Sequence, residues 1–277
     1  MRRSVSPQMA FVYSAALVAA CAKAEPPAEQ VAVAPVAPAV VHINASDYQF
    51  QAPDTLPSGP TTFHLMNGGK EIHHVVLIKA PLATVQSMNP TAPPPADLVV
   101  AGGPNAAPPG GTAEATLDLA PGDYTMVCFV PAPDGKPHML HGMMRALTVT
   151  QGSSAAVVPV PDITIKLTDY AFGVADTLAA GHHVIRIEND GPQMHEIVFV
   201  KLEPGKTAED FLKWGQKLQG PPPASLINGA SPMTTGQVNT VAVDLVPGDY
   251  AMLCFIEDTK DHKPHFMHGM VKAIKVT

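Results

Sequence analysis

The chain has 277 residues, three cysteines and a formal net charge of -7 at neutral pH. That acidic balance excludes nucleic acid as a partner held by phosphate neutralisation, and removal of an N-terminal segment carrying Arg2 and Arg3 makes the remainder more acidic still. The length is enough for two cores of ordinary size, and an internal repeat divides the chain in that way.

Residues 1–20 read as a signal peptide: Arg2 and Arg3, then the mostly apolar run MAFVYSAALVAA, then Cys21. The run is too short for an ordinary membrane-spanning helix. LVAAC, Leu17 to Cys21, resembles a bacterial lipobox, in which the cysteine is lipidated and becomes the new N-terminus. A plain signal peptide cleaved nearby, with Cys21 incidental, is the alternative. Residues 21–40 are alanine, proline and valine with almost no charge, a composition that gives an extended tether rather than a packed element.

From Val41 the chain turns to short alternating segments bounded by proline, glycine and asparagine. HINASDYQF, TTFHLMN, HHVVLIK, ATLDL, DYTMVCFV and RALTVT read as strands rich in β-branched and aromatic residues. Seven or eight such strands per repeat predict an antiparallel β-sandwich over residues 41–150. The connection 81–112, with its NPTAPPPADL and GGPNAAPPGG clusters, is expected to form no regular structure and to lie over the sandwich surface.

Residues 151–161, QGSSAAVVPVP, read as a linker, after which the pattern returns over 162–277. DYQF from Asp47 recurs as DYAF from Asp169, and Asn67 recurs as Asn189. LDLAPGDYTMVCF from Leu117 recurs as VDLVPGDYAMLCF from Val243. The offset grows along the chain, so insertions fall in loops, where they are tolerated. One of them, TAEDFLKWGQKLQ, predicts a short helix in the second repeat with Thr207 as N-cap and Phe211, Trp214 and Leu218 on one face. That stripe either packs on its own domain or docks a partner.

Three cysteines in an exported chain are an odd set for disulfides. With Cys21 lipidated, Cys128 and Cys254 remain, one per repeat, at equivalent places and each expected in its own core. Two thiols left unpaired in an oxidising compartment need a reason, and metal ligation is one. Cys128 is followed by His138 and Met143, and Cys254 by His265 and Met270. Aligning NGGKEIHHVVLIK with NDGPQMHEIVFVK sets His73 over His195 as a second recurring histidine, while His74 aligns with Glu196. One thiolate, two imidazoles and a weak thioether are the donors of a blue copper site, one set per repeat. His141 and His268 recur between loop histidine and methionine, either touching the ligands from outside or exposed on the loop. His262, Met139, Met144 and Met267 add soft donors nearby.

On these residues each repeat resembles a cupredoxin, the plastocyanin and azurin family of type 1 copper proteins. The shared pattern is a histidine after an Asn/Gly turn, a cysteine ending a strand opened by Pro-Gly-x-Tyr, and His-x4-Met before a last strand. Here these are Pro121 to Tyr124 before Cys128 and Pro247 to Tyr250 before Cys254. The resemblance implies an all-β fold of two tandem Greek-key sandwiches with a short helix inserted in the second, and two type 1 coppers. It also implies ligands His73, Cys128, His138 and Met143, then His195, Cys254, His265 and Met270, with the loop histidines reaching the surface. Two departures stand out. The cysteine-to-histidine spacing exceeds that of small cupredoxins and is similar to that of copper nitrite reductases. Where the family often has an asparagine bracing the cysteine sulfur, this chain has His74 and Glu196.

The expected function is extracytoplasmic electron transfer on the periplasmic or outer face of a bacterial membrane. The implied partners are a redox protein such as a cytochrome or copper protein, and the membrane itself through the lipid on Cys21. A copper storage or delivery protein is the alternative, followed by a two-domain copper oxidoreductase of the nitrite reductase or laccase type. Those enzymes carry a histidine directly before the type 1 cysteine, whereas Val127 and Leu253 stand there, and no His-Cys or His-x-His occurs.

Overall fold

Alternation of apolar and polar residues becomes alternation of burial. In Gly59–Asn67, Phe63, Leu65 and Asn67 are buried while Thr62, His64 and Met66 are half-exposed. The structure is a computed structural model that describes residues 36–88, 94–152, 155–216 and 220–277. The predicted signal peptide, Cys21 and the tether up to residue 35 lie outside these residues, as does Leu218.

The first half contains β1 (Ala39–Ser46), β2 (Gln49–Gln51), β3 (Thr55–Pro57), β4 (Gly59–Asn67) and β5 (Val76–Ile78). It continues with helix α1 (Leu82–Ser87), β6 (Val100–Gly102), β7 (Thr112–Leu119), β8 (Gly122–Val127) and β9 (Met144–Thr150). The second half repeats the plan with β10 (Ile163–Thr168), β11 (Ala171–Gly173), β12 (Thr177–Leu178), β13 (Gly181–Asn189) and β14 (His195–Leu202). Helix α2 (Ala208–Gly215), β15 (Ala224–Met233), β16 (Val238–Leu245), β17 (Gly248–Leu253) and β18 (Val271–Val276) complete it. A 3-10 turn precedes the last strand of each half, at His138–His141 and His265–His268. Each half has more strands than sequence patterning suggests, because pairings of two or three residues leave no readable alternation.

Both sheets run through both halves. One has the order β11-β10-β13-β16-β7-β4-β1-β2 and the other β12-β18-β17-β14-β15-β6-β5-β8-β9-β3. They cross at Thr240 against Thr116 and at Met233 against Ala101. A single apolar cluster accordingly takes in Phe63, Leu117 and Leu147 of the first half and Leu167, Ile187 and Ile274 of the second. Cys128 and Cys254 are both members, so the expectation of separate cores is replaced by one shared core.

The connection 81–112 also departs from expectation. It forms α1 and β6, and its residues 100–105 are buried against the second half. Buried backbone polar groups must be bonded, and the other half supplies the partners. Gly103 N–H donates to Asn239 Oδ1 at 2.8 Å, and Asn239 Nδ2 donates to the Ala101 carbonyl at 2.8 Å. Ser231 Oγ donates to the Pro104 carbonyl at 2.9 Å.

Helix α2 begins as its sequence dictates. Thr207 accepts from Asp210 N–H, and Asp210 returns a bond to the Thr207 backbone, a complete capping box. Phe211 and Trp214 pack with Val198, Val200 and Leu253 of their own half. Thr207→Ala is expected to cost about 1 kcal/mol of local stability, read as faster amide exchange confined to α2.

Candidate metal centre

Each half closes three donors into one buried cluster. His73 enters from the turn before β5, Cys128 follows β8, and His138 opens the 3-10 turn. His195 at the head of β14, Cys254 after β17 and His265 form the counterpart. All six residues are fully buried. In the first half His73 Nδ1 and His138 Nδ1 lie 3.1 Å apart, with Cys128 Sγ 3.9 Å from the former and 3.4 Å from the latter. In the second, the two Nδ1 atoms are again 3.1 Å apart and Cys254 Sγ is 3.5 Å from His265 Nδ1. An ion bonded at about 2.0 Å to nitrogen and about 2.3 Å to sulfur fits between donors at these separations. The residues therefore fit a His-Cys-His metal centre.

Neighbouring groups orient the rings. His73 Nε2 faces Asp47 Oδ1 at 3.2 Å and His195 Nε2 faces Asp169 Oδ1 at 2.8 Å, which keeps the ring proton on Nε2 and turns the Nδ1 lone pair inward. Asn67 and Asn189 tie the preceding turns by bonding the Glu71 and Gln193 carbonyls and receiving the Gly69 and Gly191 N–H. Gly191 has to be glycine because a Cβ there would stand 2.6 Å from His195 Nε2, and one on Gly69 would stand 2.4 Å from Asp47 Oδ1. Gly191→Ala is expected to weaken metal binding at the second centre about 10- to 100-fold in a chelator competition, leaving the first unchanged.

Burial pushes the Cys128 thiol up to about 12 and the Cys254 thiol higher still. Burial also lowers His73, His195 and His265 toward the neutral, ligating form. Such thiols lose their protons to a cation rather than to water. Met143 and Met270 are fully buried, and their backbones are tied to the loop histidine and the cysteine of each cluster. The Met143 N–H donates to His138 O at 3.1 Å and its carbonyl accepts from Cys128 N–H at 3.2 Å. The corresponding bonds of Met270 are 3.0 and 3.3 Å.

The loop histidines do not reach the surface. Tyr48 crosses His138 edge-on at 5.1 Å and Tyr170 crosses His265 at 5.3 Å, and each tyrosine carries His141 or His268 on its outer side, at 4.8 Å. His141 and His268 are in turn bonded to Asp134 and Asp261 at 3.1 Å, outside the ligand clusters. Of the extra soft donors, Met139 is buried in the apolar core and Met144 packs against it, while Met267 is exposed. Asp258, Asp261 and His268 also converge, but Asp258 already accepts from Tyr170 and Gln193 while Asp261 pairs with Lys263.

His74 and Glu196 occupy the bracing position. His74 Nε2 accepts Phe129 N–H at 2.8 Å, and Glu196 Oε1 accepts Phe255 N–H at 3.1 Å, so each fixes the residue after a ligand cysteine. Burial takes His74 down to about 4 and Glu196 up to about 7. The halves differ at one further place. His138 Nε2 lies 2.7 Å from Glu71 Oε2, whereas His265 Nε2 is buried with no hydrogen-bond partner among the described residues. Gln193 stands where Glu71 does, turned toward Asp169, Asp258 and Thr259 instead. Asp47 and Asp169 carried a signal in the repeated DY pair; Glu71 has no repeat and left none.

Fold and site together define a tandem cupredoxin-like protein with two His-Cys-His centres of the type 1 copper kind. No protein-family model and no curated protein matches the chain. Among solved structures, reduced auracyanin from Roseiflexus castenholzii is 23% identical, covering 42% of this chain and 95% of its own, at a TM-score of 0.29. Copper nitrite reductase from Nitrosomonas europaea is 15% identical, covering 87% of this chain and 93% of its own, at 0.25. A multicopper oxidase is 12% identical over 86% of this chain and 88% of its own, at 0.27. Superpositions this loose bear on neither the site nor the activity.

Proposed function

We propose that this chain is an extracytoplasmic copper-binding electron carrier with one type 1 centre in each half. The observation that carries the reading is the repeated convergence of one buried thiol and two buried imidazoles in each half. When bound, copper supplies a one-electron couple. The chain's part is to hold a trigonal donor set that suits both oxidation states, so that little rearranges when an electron passes. Two sheets shared across the molecule fix the donors in advance, and an apolar surround excludes water.

Electrons would enter and leave past exposed apolar side chains beside the cysteines. Phe129 and Phe255 are more than a third exposed, and Leu140 and Met267 lie exposed on the 3-10 turns. A redox protein, a cytochrome or a copper protein, is the partner such patches suit. Lipid on Cys21 would hold the carrier at a membrane face; among the described residues no helix is long and apolar enough to cross one.

The test is metal analysis of the purified protein with optical and paramagnetic resonance spectra. Two coppers per chain, an intense thiolate-to-copper band and reversible reduction are expected. Colourless loading without redox cycling would replace this reading by copper storage or delivery. An additional copper with a type 2 resonance and turnover of nitrite or a phenol would replace it by an oxidoreductase.

A further inference from the structure

The connection 81–112 does more than cover a sheet edge, because it carries Asn105 into the space between the two centres. Asn105 is buried, and its Nδ2 donates to Glu196 Oε2 at 3.2 Å, to the Ile197 carbonyl at 3.0 Å and to the Ala230 carbonyl at 3.2 Å. On its other side the segment is bonded to the backbone that flanks His74, His73 N–H donating to the Ala107 carbonyl at 3.1 Å and Val75 N–H to the Pro104 carbonyl at 3.0 Å, which sets Asn105 beside His74. His74 and Glu196 each follow a ligand histidine in sequence and each accept the N–H of the residue that follows a ligand cysteine. A path of neighbouring groups results: Cys128, Phe129 N–H, His74, Asn105 beside it, Glu196, Phe255 N–H, Cys254. Its three side chains are all buried.

The other polar links between the halves do not begin at a ligand. Asn239 bonds Gly103 and Ala101, Ser231 bonds Pro104, and Thr240 pairs with Thr116. A merely structural crosslink needs no particular starting point. A link whose two ends lie next to both a ligand histidine and the ligand cysteine connects the centres themselves.

We infer that the two metal centres exchange an electron within one chain, along the bridge made by His74, Asn105 and Glu196. This inference rests on the electron-carrier reading. In the exchange one electron leaves the reduced centre and reduces the oxidised one, so the total number of electrons on the chain is unchanged. No bond is made or broken. The chain would then take up an electron at either face and release it at the other.

The experiment uses the full copper-loaded chain, oxidised at both centres and given less than one electron equivalent by pulse radiolysis. Freeze-quenched paramagnetic resonance and optical absorption then follow which centre holds the electron. The expected result is a redistribution whose rate is independent of protein concentration. Asn105→Ala, or Asn105→Leu should the alanine variant fold poorly, is expected to slow that phase roughly tenfold, because a buried network is lost as a unit. Both bands and both potentials should persist. Asn239→Ala, which loosens the same interface away from the path, should leave the phase unchanged.

A wild-type chain with two reversible centres and no concentration-independent phase would overturn the inference while leaving the carrier reading intact. So would equal rates in wild type and both Asn105 variants, or equal slowing by the Asn239 variant. Absence of two reversible centres in the wild type would instead remove the carrier reading itself.

Discussion

Cys254→Ser abolishes one thiolate-to-copper band, lowers the copper content by one ion per chain and leaves the Cys128 band in place. The expectation follows from where the donors come from. His195, Cys254 and His265 belong to the second half, and His73, Cys128 and His138 to the first, with no residue shared between the clusters. Serine offers a hard hydroxyl of high pKa where a soft thiolate is required, so the charge-transfer transition has no donor. Stability behaves differently from colour. Cys254 is fully buried in a core common to both halves, so a hydroxyl placed there without a partner costs about 1–3 kcal/mol and is felt by the whole molecule. Calorimetry of the metal-free variant should show one cooperative transition at lower temperature. Loss of both bands at ordinary stability would mean that the centres share ligands, and the two-site reading would fail.

The shared core marks where sequence reasoning stops. Each cluster residue sits in a repeated local pattern: His73 and His195 after Asn-Gly turns, Cys128 and Cys254 after Pro-Gly-Asp-Tyr, His138 and His265 five residues before methionine. Local patterns specify strands and turns, and the repeat offset supplies the pairing between distant members. The bond from Asn105 to Glu196 spans 91 residues between unlike copies and recurs nowhere in the alignment. Periodicity therefore gives no warning that the proline- and glycine-rich connection is buried. The Gly-Pro clusters that looked like surface coil contain Gly103, whose N–H and carbonyl are both bonded by the second half. Helix α1, at six residues, is too short to show a helical period. The loop histidines were expected at the surface because the family places them there. Here Tyr48 and Tyr170, from the repeated DY pair, lie over them.

Glu71→Gln raises the reduction potential of the Cys128 centre. A carboxylate accepting the Nε2 proton makes an imidazole a stronger donor through Nδ1, and a stronger donor favours the more highly charged copper ion. At 2.7 Å, Glu71 Oε2 is placed to act on His138 in this way, while Tyr48 donates to its other oxygen at 3.1 Å and limits the effect. Glutamine keeps the shape and removes the charge. Each tenfold loss of preference for the oxidised ion corresponds to about 59 mV for a one-electron couple.

The second half already contains the neutral side chain at this place, in Gln193, and its His265 Nε2 has no hydrogen-bond partner among the described residues. Glu196 works against a simple ranking of the two centres, since a carboxylate beside Cys254 has only the neutral His74 as its counterpart. The effect of the substitution is independent of that ranking. It is measured by spectroelectrochemistry in a Cys254→Ser background, where only the Cys128 centre is coloured. Gln193→Glu in the reciprocal Cys128→Ser background is the control for direction, because a carboxylate brought toward His265 Nε2 should lower the remaining potential. An unchanged or lowered potential in Glu71→Gln would show that the His138 contact positions the ring without altering its donor strength.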